Sequence, residues 1–85
     1  MRTYSTPVYP ALSRRMNEQG RVTLRVLIGT QGKPEKVDIS KSSGFARLDE
    51  AARAAVMEAL FKPYTDNGKP EAVTAFVPIS FSLDN

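Results

Sequence analysis

Residues 73–83 read Val73-Thr74-Ala75-Phe76-Val77-Pro78-Ile79-Ser80-Phe81-Ser82-Leu83, and their polarity alternates almost without a break. Val73, Ala75, Val77, Ile79, Phe81 and Leu83 fall on one side, and Thr74, Phe76, Pro78, Ser80 and Ser82 on the other. A period of two is that of a half-buried β-strand, expected here over residues 72–83. Pro78, in its middle, decides where that strand lies. Proline has no N–H to give to a ladder, so it belongs on an edge strand with its bare nitrogen facing outward. Backbone groups alternate in direction along a strand, so residues 74, 76, 80 and 82 share the outward direction of 78. Residues 75, 77, 79 and 81 then bond inward, and these are also the residues of the apolar face. An unpaired edge of this length recruits other strands. It is either blunted by Pro78 or a docking site for an extended peptide. The outward face carries Phe76, which either covers a side chain of such a peptide or packs on a neighbouring segment.

The inward partner is residues 21–28, Arg-Val-Thr-Leu-Arg-Val-Leu-Ile. Val22, Leu24, Val26 and Ile28 share one face, opposite Arg21, Thr23 and Arg25, which marks a second half-buried strand. A turn cluster at Gly29–Pro34 separates it from renewed alternation over 35–41, with Val37 and Ile39 apolar, and the two form an antiparallel hairpin. After Ser42-Ser43-Gly44 the period changes to 3.6. Leu48, Ala52, Ala55, Val56, Ala59 and Leu60 define a helix over 46–61 that Pro63 terminates. Its alanines have high helix propensity and allow close approach to a sheet, and Asp49 and Glu50 suit the positive end of the helix dipole. A shorter helix is expected from Pro10 to about Glu18, with Leu12, Met16, Ala11 and Arg15 on its stripe and Gly20 just beyond its end. Asp66-Asn67-Gly68-Lys69-Pro70 is a further turn cluster. The fold class is therefore α+β: a two-layer, three-stranded antiparallel sheet with two helices on one face, in the order α-β-β-α-β. Residues 1–8 read as an extended N-terminal tail and 9–85 as one domain.

A chain of 85 residues buries only about 60% of its unfolded surface. It has no cysteine and no histidine, which removes disulfides, thiolate or imidazole metal ligands, and the commonest general base and thiol nucleophile. Asp49 and Glu50 are adjacent and diverge on a helix, Asp38 has no partner at matching spacing, and Ser42 and Ser43 suit a turn or cap. No Gly-Lys-Ser/Thr follows a strand. The chain reads as a non-enzymatic binding module with no catalytic residues, no metal site and no cofactor. The net charge of +3 is uneven: Arg2, Arg14, Arg15, Arg21 and Arg25 face only Glu18 in the first third. That excess either attracts acidic partner peptides or is a solvated surface. No apolar run approaches the ~20 residues that span a bilayer, and the first ten residues lack a secretory signal. A role outside the cytoplasm requires a signal or anchor upstream.

Tyr9-Pro10, Gly20-Arg21-Val22, Gly32, Ser42-Ser43-Gly44, Leu48-Asp49 with Ala51-Ala52, Ala55-Val56, Phe61 with Pro63, Gly68-Lys69-Pro70, and Val77-Pro78-Ile79 with Phe81 and Leu83 occur in this order. No one of these elements is specific, but their order and spacing over residues 6–84 resemble the TonB C-terminal domain family. The resemblance implies a periplasmic domain held at the inner membrane by an N-terminal helix and a Pro-rich spacer, coupled to the proton-driven ExbB and ExbD. It implies binding of the TonB box of outer-membrane transporters by strand addition, for uptake of siderophores, haem or vitamin B12. By position, the implied peptide-binding residues are Val73, Thr74, Ala75, Phe76, Val77, Pro78, Ile79, Ser80 and Ser82, together with Thr6, Pro7, Val8 and Tyr9. Thr6 stands where family members often carry glutamine near Tyr-Pro. A monomer or weak dimer is expected. Two rival classes stay open on the residues alone: a TolA-like periplasmic interaction domain using the same edge, and a small RNA-binding α+β module. The second is disfavoured, with no nucleic-acid partner expected, because no pair of stacking aromatics lies on adjacent strands.

Overall fold

The computed structural model describes residues 7–83. Its elements are α1 (Ala11–Arg15), β1 (Gly20–Ile28), β2 (Pro34–Lys41), α2 (Ala46–Met57), β3 (Tyr64–Asp66), β4 (Lys69–Glu71) and β5 (Val73–Phe81). The main sheet is antiparallel in the order β2-β1-β5, with β1 central, and the helices lie on one side of it. The α+β architecture expected from the periodicity is the one observed, with one addition. The segment expected only as a turn folds into a separate β3–β4 hairpin. Asn67 (φ 53°) and Gly68 (φ 81°) are both left-handed, the requirement of the two-residue loop whose twist matches its flanking strands.

The core is the apolar face of β1. Val22, Leu24 and Val26 are fully buried, and Ile28 nearly so, packed with Val37 of β2, Leu48, Ala52 and Val56 of α2, and Val77, Ile79 and Phe81 of β5. Truncating a leucine such as Leu24 to alanine in such a setting costs about 2–5 kcal/mol, since transfer and cavity terms add. Helix α2 packs on β1 and β2. Its first turn is tied down by Asp49, which accepts hydrogen bonds from the Ser42 hydroxyl, the Ser43 amide (2.9 Å) and the Ser43 hydroxyl (2.7 Å). The two serines and the acid thus form one clamp joining the end of β2 to the helix.

Three sequence expectations are corrected. α2 stops at Met57 rather than running to Phe61, and Leu60, placed on its buried stripe, is 57% exposed. The cause is a competing bond: the Phe61 amide donates to the Gly32 carbonyl at 2.8 Å, which draws the chain off the helix axis and ends the 3.6 periodicity. Ala59 and Phe61 still reach the core, from irregular chain. α1 ends at Arg15 rather than near Glu18, and Leu12 and Met16 of its expected stripe are exposed, while Ser13 is buried. Asn17, in the left-handed region (φ 56°), closes this helix. The Asn17 amide donates to the Arg14 carbonyl and the Glu18 amide to the Ser13 carbonyl, a Schellman pairing that leaves Gly20 free to open β1. Ile39, expected inside, is 38% exposed beside a register shift in the β1–β2 pairing.

Gly32 combines two constraints. Its φ is +83°, and an added Cβ would sit 2.0 Å from the Phe61 carbonyl oxygen. Gly32→Ala is expected to lower stability by at least about 1–3 kcal/mol, read as a fall in urea midpoint; an unchanged midpoint would contradict this account of the α2 exit.

Candidate functional site

β5 pairs with β1 over nine consecutive positions, from Gly20 opposite Phe81 to Ile28 opposite Val73, without a register shift. Thr23 faces Pro78 in this ladder. Proline cannot donate, so Thr23–Pro78 occupies a non-hydrogen-bonded position of the ladder, and by alternation the N–H groups of Thr74, Phe76 and Ser80 point away from β1. Burial follows the same parity. Val77, Ile79 and Phe81 are buried and Val73 and Ala75 partly so, whereas Thr74, Phe76, Pro78 and Ser80 are exposed, Phe76 by 60%. Among the described residues the outer side of β5 has no strand beside it.

The other sheet edge is different. β2 breaks register with β1 twice, near Thr23/Leu24 and near Leu27/Ile28, and carries Pro34, Lys36 and Lys41. Bulges, proline and lysine are the devices that keep an edge from pairing. Of two edges, one is blunted and one is regular.

The chain before β1 is fastened to the Phe81 end of β5. The Tyr9 ring meets Phe81 edge-to-face at 5.3 Å and 77°, its hydroxyl donates to the Glu18 carbonyl, and the Arg14 guanidinium lies over its face at 5.5 Å. Gln19 Oε1 accepts the Leu83 amide at 3.0 Å, closing the same end. Tyr9 is thus brought to β5 through Phe81. Pro7 is partly buried, and Val8 borders a shallow groove with Pro10, Arg47, Glu50, Ala51 and Ala54 of the α2 side. Thr6 lies outside the described residues. Phe81, absent from the peptide-binding set read from the sequence, is the residue that holds Tyr9; its core parity gave no sign of a second partner.

Glu18 anchors this region. Arg47 grips it with Nη2 on Oε2 at 2.6 Å and Nε on Oε1 at 3.3 Å, and the Ser13 hydroxyl donates to Oε1 at 2.7 Å. The Arg47 bond foremost, then that of Ser13, hold the Glu18 carboxyl below its ordinary range against the opposing effect of burial. For Asp49 burial is the largest influence and pushes its carboxyl up, but the bonds from Ser42 and Ser43 together outweigh it and leave it lowered. On the outer face of the sheet, Arg25 pairs with Asp38 at 3.5 Å, a partner invisible before the register was known, and Arg21 Nε donates to Ser80 Oγ at 3.3 Å. Among the described residues that face carries one aromatic ring, Phe76, which does not make the stacking platform of an RNA-binding sheet.

The geometry is that of a small α+β domain with one regular sheet edge and an N-terminal segment fastened to its end. A family model, Gram-negative bacterial TonB protein C-terminal, matches residues 5–83, and the chain belongs to this family. It is 46% identical over 79 residues to Protein TonB of Neisseria gonorrhoeae, covering 92% of this chain and 25% of the relative. It is 41% identical over 78 residues to Protein tonB2 of Pseudomonas aeruginosa, covering 92% and 29%, and 39% identical over 77 residues to Protein TonB of Pasteurella multocida, covering 91% and 29%. The chain thus spans between a quarter and a third of the length of these curated relatives. Domains of this family are periplasmic and are not enzymes. No helix among the described residues is long and apolar enough to cross a membrane.

Two outcomes test the fastening of the N-terminal segment. Tyr9→Ala removes the ring contact and the hydroxyl bond together, so exchange of the Arg14, Asn17 and Glu18 amides, which donate to Pro10, Arg14 and Ser13, should accelerate at least tenfold while β1 and β5 stay protected; equal loss throughout the sheet would show that Tyr9 is simply core. Glu18 and Asp49 both have lowered folded-state pKa values, so the unfolded chain binds more protons as the solution is acidified. Their contribution is complete above the unfolded carboxylate range and is lost as pH falls through about 4.5 and below. Urea midpoints should be level from about pH 8 to pH 5.5 and then drop, and Glu18→Gln with Asp49→Asn should flatten the drop. An unaltered acid slope in the double variant would remove these two groups from the account.

Proposed function

We propose that this domain binds the TonB box, a short extended segment of outer-membrane transporters, by adding it as a strand beside β5. In the intact protein it then passes on force generated by the proton-motive ExbB and ExbD during uptake of siderophores, haem or vitamin B12. The inner-membrane anchor and spacer that this requires belong to sequence upstream of the domain. The observation that carries the reading is the contrast between edges: nine unshifted pairs between β1 and β5 support a regular rim, while β2 is bulged and charged. Family membership supports the same reading.

Strand addition suits a domain that serves many partners. Main-chain hydrogen bonds supply affinity whatever the peptide sequence, and side chains add limited selectivity. Each such bond contributes roughly 0.5–1.5 kcal/mol net. A few of them, less the cost of ordering a flexible peptide, give binding of about micromolar strength. Pro78 removes one outward donor, so the peptide pairs around it through Thr74, Phe76 and Ser80. Val73, Ala75, Val77 and Ile79 hold the strand to the core, Ser82 extends the rim, and Pro7, Val8 and Tyr9 flank its end.

Titrating isotopically labelled domain with TonB-box peptides should move amide resonances most at residues 73–82 and near Thr6–Tyr9, with scrambled peptides inert; changes confined to α2 would defeat the proposal. Proline scanning sharpens this. Thr74→Pro or Ser80→Pro removes an outward N–H, so the domain should stay folded while peptide affinity falls about two- to tenfold. Val77→Pro removes an inward donor and should disrupt the sheet.

A further inference from the structure

On the outer face of the sheet, two arginines of β1 lie four residues apart and lean in opposite directions. Arg25 turns toward β2, where Asp38 takes it at 3.5 Å. Arg21 turns the other way and crosses to β5, where its Nε donates to Ser80 Oγ, the residue directly opposite it in the ladder. That bond engages one of the five guanidinium N–H donors and leaves the four on Nη1 and Nη2. The ion pairs among the described residues are Arg25–Asp38, Arg47–Glu18 and Arg53–Glu50, so none supplies Arg21 with a carboxylate. Neighbouring strands lie about 4.8 Å apart, so a side chain that already reaches over β5 stands beside whatever pairs with its rim. Four residues from Ser80 along the same face, Phe76 is 60% exposed.

We propose that Arg21 and Phe76 form a two-point selector on this rim, favouring an extended acidic peptide with a carboxylate side chain beside Ser80 and an apolar side chain beside Phe76. The inference rests on the strand-addition reading and adds the side-chain chemistry that the main-chain bonds leave open. Its geometry is specific. Side chains of an added strand alternate between faces, so the two selected residues sit on one face and are four places apart, whether the peptide runs parallel or antiparallel to β5. The order of the two, acid first or apolar first, then reports the direction. Guanidinium suits this task because its planar fork matches a carboxylate and it is charged at every relevant pH.

The test uses the folded domain and synthetic nine-residue peptides of threonine and valine, with glutamate at the third place and leucine at the seventh. A companion set reverses that order, and in each a matched peptide replaces glutamate by glutamine. In at least one order the glutamate peptide should bind about two- to fivefold more tightly than its glutamine twin, the range for an exposed ion pair. That advantage should vanish in Arg21→Gln, persist in Arg25→Gln, and fade in about 0.5 M salt as screening shortens the reach of the charge. Phe76→Ala should weaken the leucine peptides and leave the glutamate advantage intact. Both arginines are exposed, so both variants keep the fold and change the net charge equally. If Arg25→Gln abolishes the preference as fully as Arg21→Gln, the effect is general electrostatics and the selector is wrong. If the glutamate and glutamine peptides move β5 resonances with equal affinity, or TonB-box peptides do so and these peptides do not, the selector falls and strand addition stands. Were neither kind of peptide to move β5, or were self-pairing of two domains to occupy that rim, both readings would fall together.

Discussion

The central position of β1 is the constraint from which the rest of the domain follows. The four apolar side chains of its inner face are buried, and it is hydrogen-bonded on both sides, to β2 and to β5. In a domain this small there is no second core to share the load. α2 lies where it does because β1 and β2 present it an apolar surface, and small residues such as Ala52 let it approach. β5 is regular because nine successive residues of β1 hold it in register. A rim suited to pairing is thus a by-product of the same alternation that builds the core. Side chains that face the helix belong to residues that bond inward, which turns the intervening residues, and their backbone groups, outward.

Polar groups with reduced access to water organise the irregular segments that apolar packing leaves undefined. Asp49 gathers two serines and fixes the passage from β2 to α2, while Glu18 gathers Ser13 and Arg47 and fixes α1 to α2. Each carboxylate has several donors, so neither is left as an uncompensated charge within the fold. The Glu18 backbone carbonyl also takes the Tyr9 hydroxyl, so one residue links the N-terminal segment, the first helix and the second.

The strands could be read from the sequence because a period of two survives in a short chain, and because Pro78 reports both edge position and backbone direction. The long helix could be read for a similar reason, but its end could not. Leu60 continues the helical stripe in sequence, yet a hydrogen bond from Phe61 to Gly32, residues far apart in the chain, overrides it. α1 misled for a different reason. Leu12 and Met16 have the right spacing for a buried face, but the helix is held through Ser13 and Glu18, a polar attachment that hydrophobic periodicity does not register. The Arg25–Asp38 contact depends on the β1–β2 register, which the turn at 29–34 leaves undetermined until the two bulges of β2 are known, and the Arg21–Ser80 contact depends on the β1–β5 register, which no short turn sets. The asymmetry between the edges was half legible, since Pro78 was visible while the bulging of β2 was not.

The nine-pair ladder has a mechanical meaning. Residue 20 opens β1 directly opposite Phe81, so tension entering from the N-terminal side reaches the sheet at the end where Tyr9 grips Phe81. A pull along β1, resisted by a strand lying beside β5, loads the β1–β5 bonds in shear, with all of them strained at once. A pull across the strands would open them one after another, as in unzipping. A domain built this way is stiff along its strands and weak across them, and the direction of traction decides whether it transmits a load or comes apart.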